Sequence, residues 1–163
     1  MEKSQVERTP WSFVFDEPTR MLVADDDPIL CEFASVYLSS PIATVETVRD
    51  GAAALRRLQE SHFEIALLDI GMPELDGFEV LHRIRADPAL HHLPVMMLTG
   101  HEDIHSIDRA YNLGATAFTT KPVNWRQLSY HIRYVVRAGQ AERALRAGLE
   151  AGGAREIDLC SVI

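Results

Sequence analysis

Cysteine, excess positive charge and long apolar runs are all scarce in these 163 residues. The two cysteines, Cys31 and Cys160, lie too far apart for a metal or redox motif. Two reduced thiols are expected, one buried in a helix and one on a tail. The 16 Lys+Arg stand against 24 Asp+Glu, a formal charge of −8, which argues against a nucleic-acid groove running over the surface. No apolar run approaches the ~20 residues of a membrane span, and the first twenty positions lack the charged-then-apolar pattern of a signal peptide. A cytoplasmic protein with neither a membrane nor a nucleic-acid partner is expected. The length suits one domain with a real core, and no internal repeat or low-complexity segment is present.

What the chain does have is alternation. Strands are expected at "MLVAD" (21–25), "ATVETV" (43–48), "IALLD" (65–69), "PVMMLT" (94–99) and "AFTTK" (117–121). The third and fourth are apolar almost throughout, as strands covered on both faces are. Between them, Leu30/Phe33/Ala34/Tyr37, Ala54/Leu55/Leu58, Phe78/Leu81/Ile84 and Ile104/Ile107/Ala110 recur at helical spacing, and Leu128/Ile132/Val135 follow the last strand. The pattern is an α/β fold, (βα)5, with a parallel five-stranded sheet, right-handed crossovers and helices on both faces. Residues 21–138 make this unit. Ahead of it, residues 1–20 carry "WSFVF" between Pro10 and Pro18, read as a docked arm or a disordered lead. Behind it, 139–163 extend the fifth helix until "GG" at 152–153 stops it, leaving a tail without a clear period.

In an open parallel sheet, ligands bind beyond the carboxyl ends of the strands. The residues placed there are Asp25 and Asp26, Asp69, Thr99 and Lys121. Three carboxylates make a hard oxygen site suited to Mg²⁺, and a cation answers the mutual repulsion of "DDD" at 25–27. One carboxylate can then act as nucleophile toward phosphorus. Lys121 would balance charge on the phosphoryl oxygens and the Thr99 hydroxyl would donate to them. Asp27, directly before Pro28, reads as a helix N-cap, and Asp76 as another helix start. His91 and His92 read as solvated loop residues, while His101 could overhang the phosphoryl group.

The stretches "LVADDDP", "LLDIGMPELDGFEVL", "LPVMMLTG" and "TTKP", in this order and spacing, resemble the response-regulator receiver family over residues 21 to about 137. The resemblance implies a doubly wound, flavodoxin-like fold of strand order 2-1-3-4-5. It implies Asp69 as the acceptor of phosphate from a histidine kinase or phosphotransfer protein, and Mg²⁺ held by Asp25, Asp26, Asp69 and the Gly71 carbonyl. Thr99 and Phe118 would be switch residues and Lys121 the phosphate-binding lysine. The chain would be a switch rather than a turnover enzyme, catalysing only its own phosphorylation and dephosphorylation. The face of helix four, strand five and helix five would meet a downstream protein or form a phosphorylation-dependent homodimer. Along the extended helix, Ala138, Ala141, Leu145 and Gly148 share one side.

Three other readings compete. A haloacid-dehalogenase-like phosphatase would use Asp25 as nucleophile and Asp27 as acid, but it leaves Asp69 unexplained. A binding-only pseudo-receiver would not need the full acidic set. The roughly 26 residues after Arg137 are too few for an output domain, so a stand-alone receiver is expected; "KPVNWRQLSYHIRYVVRA" also resembles receivers fused to cyclic-di-GMP enzymes, which keeps open a fragment of a larger output protein.

Overall fold

A computed structural model describes residues 14–100 and 104–160, with side chains through residue 151. Among the described residues ten elements alternate without exception: β1 (Thr19–Ala24), α1 (Pro28–Leu38), β2 (Ala43–Val48), α2 (Gly51–Glu60), β3 (Ile65–Asp69), α3 (Gly77–Ala86), β4 (Val95–Thr99), α4 (Ile104–Asn112), β5 (Ala117–Thr120) and α5 (Trp125–Cys160). The sheet order is β2-β1-β3-β4-β5 and every pair is parallel. β3 and β4 are buried at every residue, the outcome their unbroken apolar runs predict.

Alternate residues of each strand feed two separate cores. Met21, Val23, Ile65, Leu67, Met96, Leu98 and Ala117 pack under α1 and α5. Leu22, Ala24, Ala66, Leu68, Val95 and Met97 pack under α2, α3 and α4. The helices start where short acidic side chains can cap them: Asp27 accepts from the Ile29 amide at 2.9 Å, Asp50 from Ala53 at 2.7 Å and Asp76 from Glu79 at 2.9 Å. Asp27 and Asp76 thus do what the sequence predicts of them.

Two glycines sit where the backbone leaves no place for another residue. A Cβ on Gly77 would lie 2.3 Å from the Asp69 carbonyl oxygen, because the first turn of α3 folds back so that its amide reaches the Ile70 carbonyl at 3.1 Å. Gly77→Ala should therefore push the β3 end off its seat and cost about 2 kcal/mol, as overpacking does. Urea denaturation measures this, and wild-type stability in the variant would mean that the close approach imposes no constraint. At the far end of α4, Gly114 takes the left-handed conformation (φ 97) that closes the helix.

At the N-terminal end the described residues follow the docked-arm reading, while the C-terminal end departs from the expected outline. Val14 and Phe15 are buried in the core with Leu128, Ile132, Val135 and Val136, and Asp16 pairs with Arg133 at 3.1 Å and with Arg137. The described part of the N-terminal arm is docked; Trp11, Ser12 and Phe13 lie outside the described residues. α5 does not stop at Gly152–Gly153 but runs on to Cys160, so Cys160 closes a helix rather than lying on a tail. Two glycines cost about 1 kcal/mol each against alanine, which weakens a helix; only a left-handed turn at the glycine terminates one. Cys31 is buried in α1 as expected. Among the described residues no helix is long and apolar enough to cross a membrane.

Candidate functional site

The carboxyl ends of β1, β3, β4 and β5 form one rim, and the chain sets a polar residue at each. Asp25 and Asp26 follow β1, Asp69 ends β3, Thr99 ends β4 and Lys121 follows β5. Asp25, Asp26 and Asp69 each bring a carboxylate oxygen within 4.8 Å of the others. The Lys121 ammonium lies across two of them, 2.7 Å from Asp25 Oδ2 and 3.2 Å from Asp69 Oδ1. Asp25 Oδ1 also accepts from the Asp27 amide at 2.9 Å.

These groups differ in access. Asp25 is fully buried, Asp69 is 7% exposed and Asp26 faces solvent. A sealed Asp25 tied to an ammonium is badly placed to attack an incoming substrate, which weighs against the phosphatase alternative. Asp69 is reachable and still shares the lysine. Burial pushes the Asp69 carboxyl above the usual range and the Asp25 charge adds to this; the Lys121 charge and hydrogen bond and the Gly71 amide pull the other way. Burial works to lower the Lys121 ammonium, but its hydrogen bond to Asp25 and the Asp69 and Asp25 charges overcome that and hold it above the usual lysine range. Three carboxylates against one ammonium leave the site short of positive charge, and an all-oxygen donor set is what a hard divalent cation takes.

Thr99 borders this cluster, and Phe118 lies on the next strand in register with Met97. Asp69 is in register with Leu98, so Thr99 lies one residue beyond it on the next strand, buried at the rim. Alternation puts Thr99 on the α3/α4 side of the sheet, where Phe118 is partly buried. Gly71 adjoins Asp69: among the described residues, a Cβ there would have only Asp69 Oδ2 near it, at 3.8 Å. His101 falls outside the described residues. His91 and His92 are exposed as expected, though not simply solvated: their rings lie 3.6 Å apart and His92 contacts Arg146 of α5.

One neighbour escapes a reading by motif. Arg49, just after β2, donates Nη2 to the Asp26 carbonyl at 3.1 Å. Its position at the carboxyl end of a strand, like the others, is the signal that could have found it.

The chain and its fold have parallels. Residues 21–133 match the response regulator receiver domain. The chain is 33% identical over 129 residues to the heme response regulator HssR of Staphylococcus epidermidis, covering 78% of this chain and 56% of that protein. It thus spans about half the length of the curated relatives it matches. Among solved structures, a CheY-like response regulator receiver domain protein from Methanospirillum hungatei superposes with a TM-score of 0.71 at 27% identity, covering 76% of this chain and 98% of that one. The Vibrio cholerae chemotaxis protein CheY4 gives 0.68 at 28% identity, covering 72% and 98%. On the match of residues 21–133, with a sheet of the same strand order, the chain belongs to the response regulator receiver domain family.

Proposed function

We propose that Asp69 is the phosphoacceptor of this receiver, that Asp25, Asp26, Asp69 and the Gly71 carbonyl hold Mg²⁺, and that Thr99 and Phe118 pass the change outward. Receiver domains are phosphoacceptor switches, phosphorylated by histidine kinases or phosphotransfer proteins, and generally bind Mg²⁺ at an acidic pocket. The observation that carries the assignment to Asp69 is Lys121, which reaches two acids, Asp25 and Asp69, of which Asp25 is sealed and Asp69 keeps some opening to an incoming group.

In the transfer, an Asp69 oxygen forms a bond to phosphorus as the bond from phosphorus to the donor imidazole nitrogen breaks, and the imidazole keeps that electron pair. Lys121 balances charge on the phosphoryl oxygens, and the Thr99 hydroxyl donates to one of them. When bound, a divalent cation supplies further positive charge at those oxygens. Exposed Ile29, Phe33 and Val36 on α1, with Trp125 and Val123 beside Lys121, form an apolar landing surface next to the acid. It suits the helix of a donor protein.

The outward path runs through the thinly held side of the molecule. Ala110 is the one buried residue of α4, and Phe118, Thr120, Tyr130 and His131 line a groove of about 620 Å³ along β5 and α5. Thr99 drawn toward a phosphoryl group leaves room for Phe118 to turn inward, and the β5 face changes with it. The shift is one of populations, limited by the difference in phosphoryl contacts between the two states.

Incubation with a small phosphodonor and Mg²⁺ tests the assignment. Intact mass should rise by one phosphate, on the peptide that carries Asp69, and Asp69→Asn should take up none. An adduct of equal yield on Asp69→Asn refutes it, as does steady turnover of a phosphate ester, which would restore the phosphatase reading.

A further inference from the structure

Three acids follow β1 in a row, and the structure uses each differently. Asp25 gives its carboxylate to Lys121 and accepts from the Asp27 amide. Asp27 accepts from the Ile29 amide and caps α1. Asp26 faces solvent, and its carboxylate has no partner among the described residues. The main chain beneath them is bound throughout. The β1–β2 ladder closes with the Asp25 amide on the Val48 carbonyl at 3.1 Å, and beyond that point each of the three carbonyls meets a donor from outside the triplet. Cys31 gives its thiol to the Asp25 carbonyl at 3.3 Å and its amide to the Asp27 carbonyl at 3.2 Å. Arg49 gives Nη2 to the Asp26 carbonyl at 3.1 Å. The loop is clamped at every peptide, and one carboxylate is left over.

We propose that Arg49 is a positioning residue for the metal site: by holding the Asp26 carbonyl, it fixes the peptide from which the Asp26 carboxylate reaches a divalent cation. The proposal rests on the assignment of Asp25, Asp26 and Asp69 as ligands of Mg²⁺. The acceptor that Arg49 takes is what carries it. A guanidinium is built to bind a carboxylate through two parallel N–H bonds, and three carboxylates stand in the loop it touches. Arg49 bonds the main chain instead, and no ion pair joins it to an acid among the described residues. A bond to the Asp26 side chain would neutralise that acid and withdraw its oxygens from a metal. A bond to the carbonyl holds the residue and leaves both oxygens free.

The fold explains why a side chain is needed there. Val48, the last paired residue of β2, is in register with Ala24, and two residues later Asp50 caps α2. Past that pair the two strands turn into their helices, and no main-chain amide among the described residues reaches the Asp26 carbonyl. Arg49 adds one rung to the ladder with its side chain. Mg²⁺ demands near-ideal octahedral geometry, so a ligand whose peptide is already fixed need not be ordered when the metal arrives. Groups that orient metal ligands from outside commonly change affinity tenfold or more when removed. Position and charge make opposite predictions. A guanidinium acting only as a positive charge beside the site would repel the cation, so its removal would tighten Mg²⁺ binding; loss of the clamp weakens it.

Calorimetric titration of Mg²⁺ into the metal-free full chain reads the difference. Arg49→Ala should bind Mg²⁺ about tenfold more weakly than wild type, and Arg49→Lys, which keeps a donor for the carbonyl, should recover part of that loss. Arg56→Ala, which removes the same charge from an exposed position of α2, should bind as wild type does. In an Asp26→Ala background, Arg49→Ala should cost no further affinity, because a positioning residue acts through the side chain it holds. Thermal denaturation in EDTA, where Arg49→Ala should melt close to wild type, separates metal binding from loss of fold. Arg49→Ala binding Mg²⁺ as tightly as wild type or more tightly, an equal loss in Arg56→Ala, or additive losses in the double variant would each overturn the proposal. So would a loss of affinity that only tracks a loss of stability in EDTA. Wild type that takes up no Mg²⁺ would instead overturn the ligand assignment, and this proposal with it.

Discussion

Asp69→Asn should make the metal-free protein more stable at neutral pH while removing its capacity to be phosphorylated. The Asp69 carboxyl lies above its usual range through burial and the Asp25 charge. A carboxyl raised on folding contributes stability that is complete below the unfolded-state value, about pH 4, and lost as pH rises through the folded-state value. At pH 7 the native acid is therefore a penalty. Two like charges about 4 Å apart repel by about 4 kcal/mol at the effective dielectric of a protein surface, and the share of Lys121 offsets much of that. Asparagine keeps the shape, removes the repulsion and leaves the shorter Lys121–Asp25 bond in place. A net gain of about 1 kcal/mol, or roughly 3 °C in melting temperature, is expected in EDTA. Mg²⁺ should raise the wild type more than the variant, because a ligand of the native state stabilises in proportion to its affinity. A variant less stable than wild type in EDTA, with an equal response to Mg²⁺, would show that Asp69 is not strained in the free protein and does not share the metal.

The split between what could be read along the chain and what could not follows the range of the interactions. The strands were legible because each carries its own apolar run. The rim was legible because a parallel sheet brings all carboxyl ends to one edge whatever the loops do, so Asp25, Asp69, Thr99 and Lys121 could be grouped before any distance was known. Caps such as Asp27 and Asp76 are local, and they too were readable. The bond from Lys121 to Asp25, shorter than that to Asp69, joins residues 96 apart and had no local sign. Nor did the clasp of Asp16 on Arg133 and Arg137, although two arginines four apart on α5 offer an acid a ready fork. β1 begins at Thr19 rather than at residue 21 because Thr19 and Arg20 pair with Ala43 and Thr44, a register that apolar content alone does not report. The course of α5 past Gly152 was misjudged because a glycine pair signals a stop only through its backbone angles.

Lys121→Met should have the opposite effect to Asp69→Asn, and a larger one. Asp25 is fully buried, and the ion-pair partner it has among the described residues is Lys121 at 2.7 Å. Methionine matches the length of the lysine stem but not its charge, leaving two acids facing one another with Asp25 sealed from water. Breaking a buried pair from one side costs about 3–5 kcal/mol; the rim is partly open, since the lysine side chain is 25% exposed, so about 2–3 kcal/mol is expected at pH 7 without metal. The pH dependence has a fixed sign. Without the lysine charge that opposed it, the Asp69 carboxyl rises further above its usual range. The deficit should then shrink as pH falls through the raised folded-state value, where the carboxyl takes up its proton, and grow as pH rises through it. Mg²⁺ at neutral pH should recover part of the loss, by placing positive charge where the ammonium was. Urea denaturation at pH 7 and near pH 4.5, each with EDTA or with Mg²⁺, reads all four conditions. A variant as stable as wild type at pH 7, or one whose deficit deepens in acid, would mean that the ammonium is a bystander at the rim. Loss at neutral pH that acid and Mg²⁺ both relieve would identify Lys121 as the charge that holds the acidic site together until the phosphoryl group arrives.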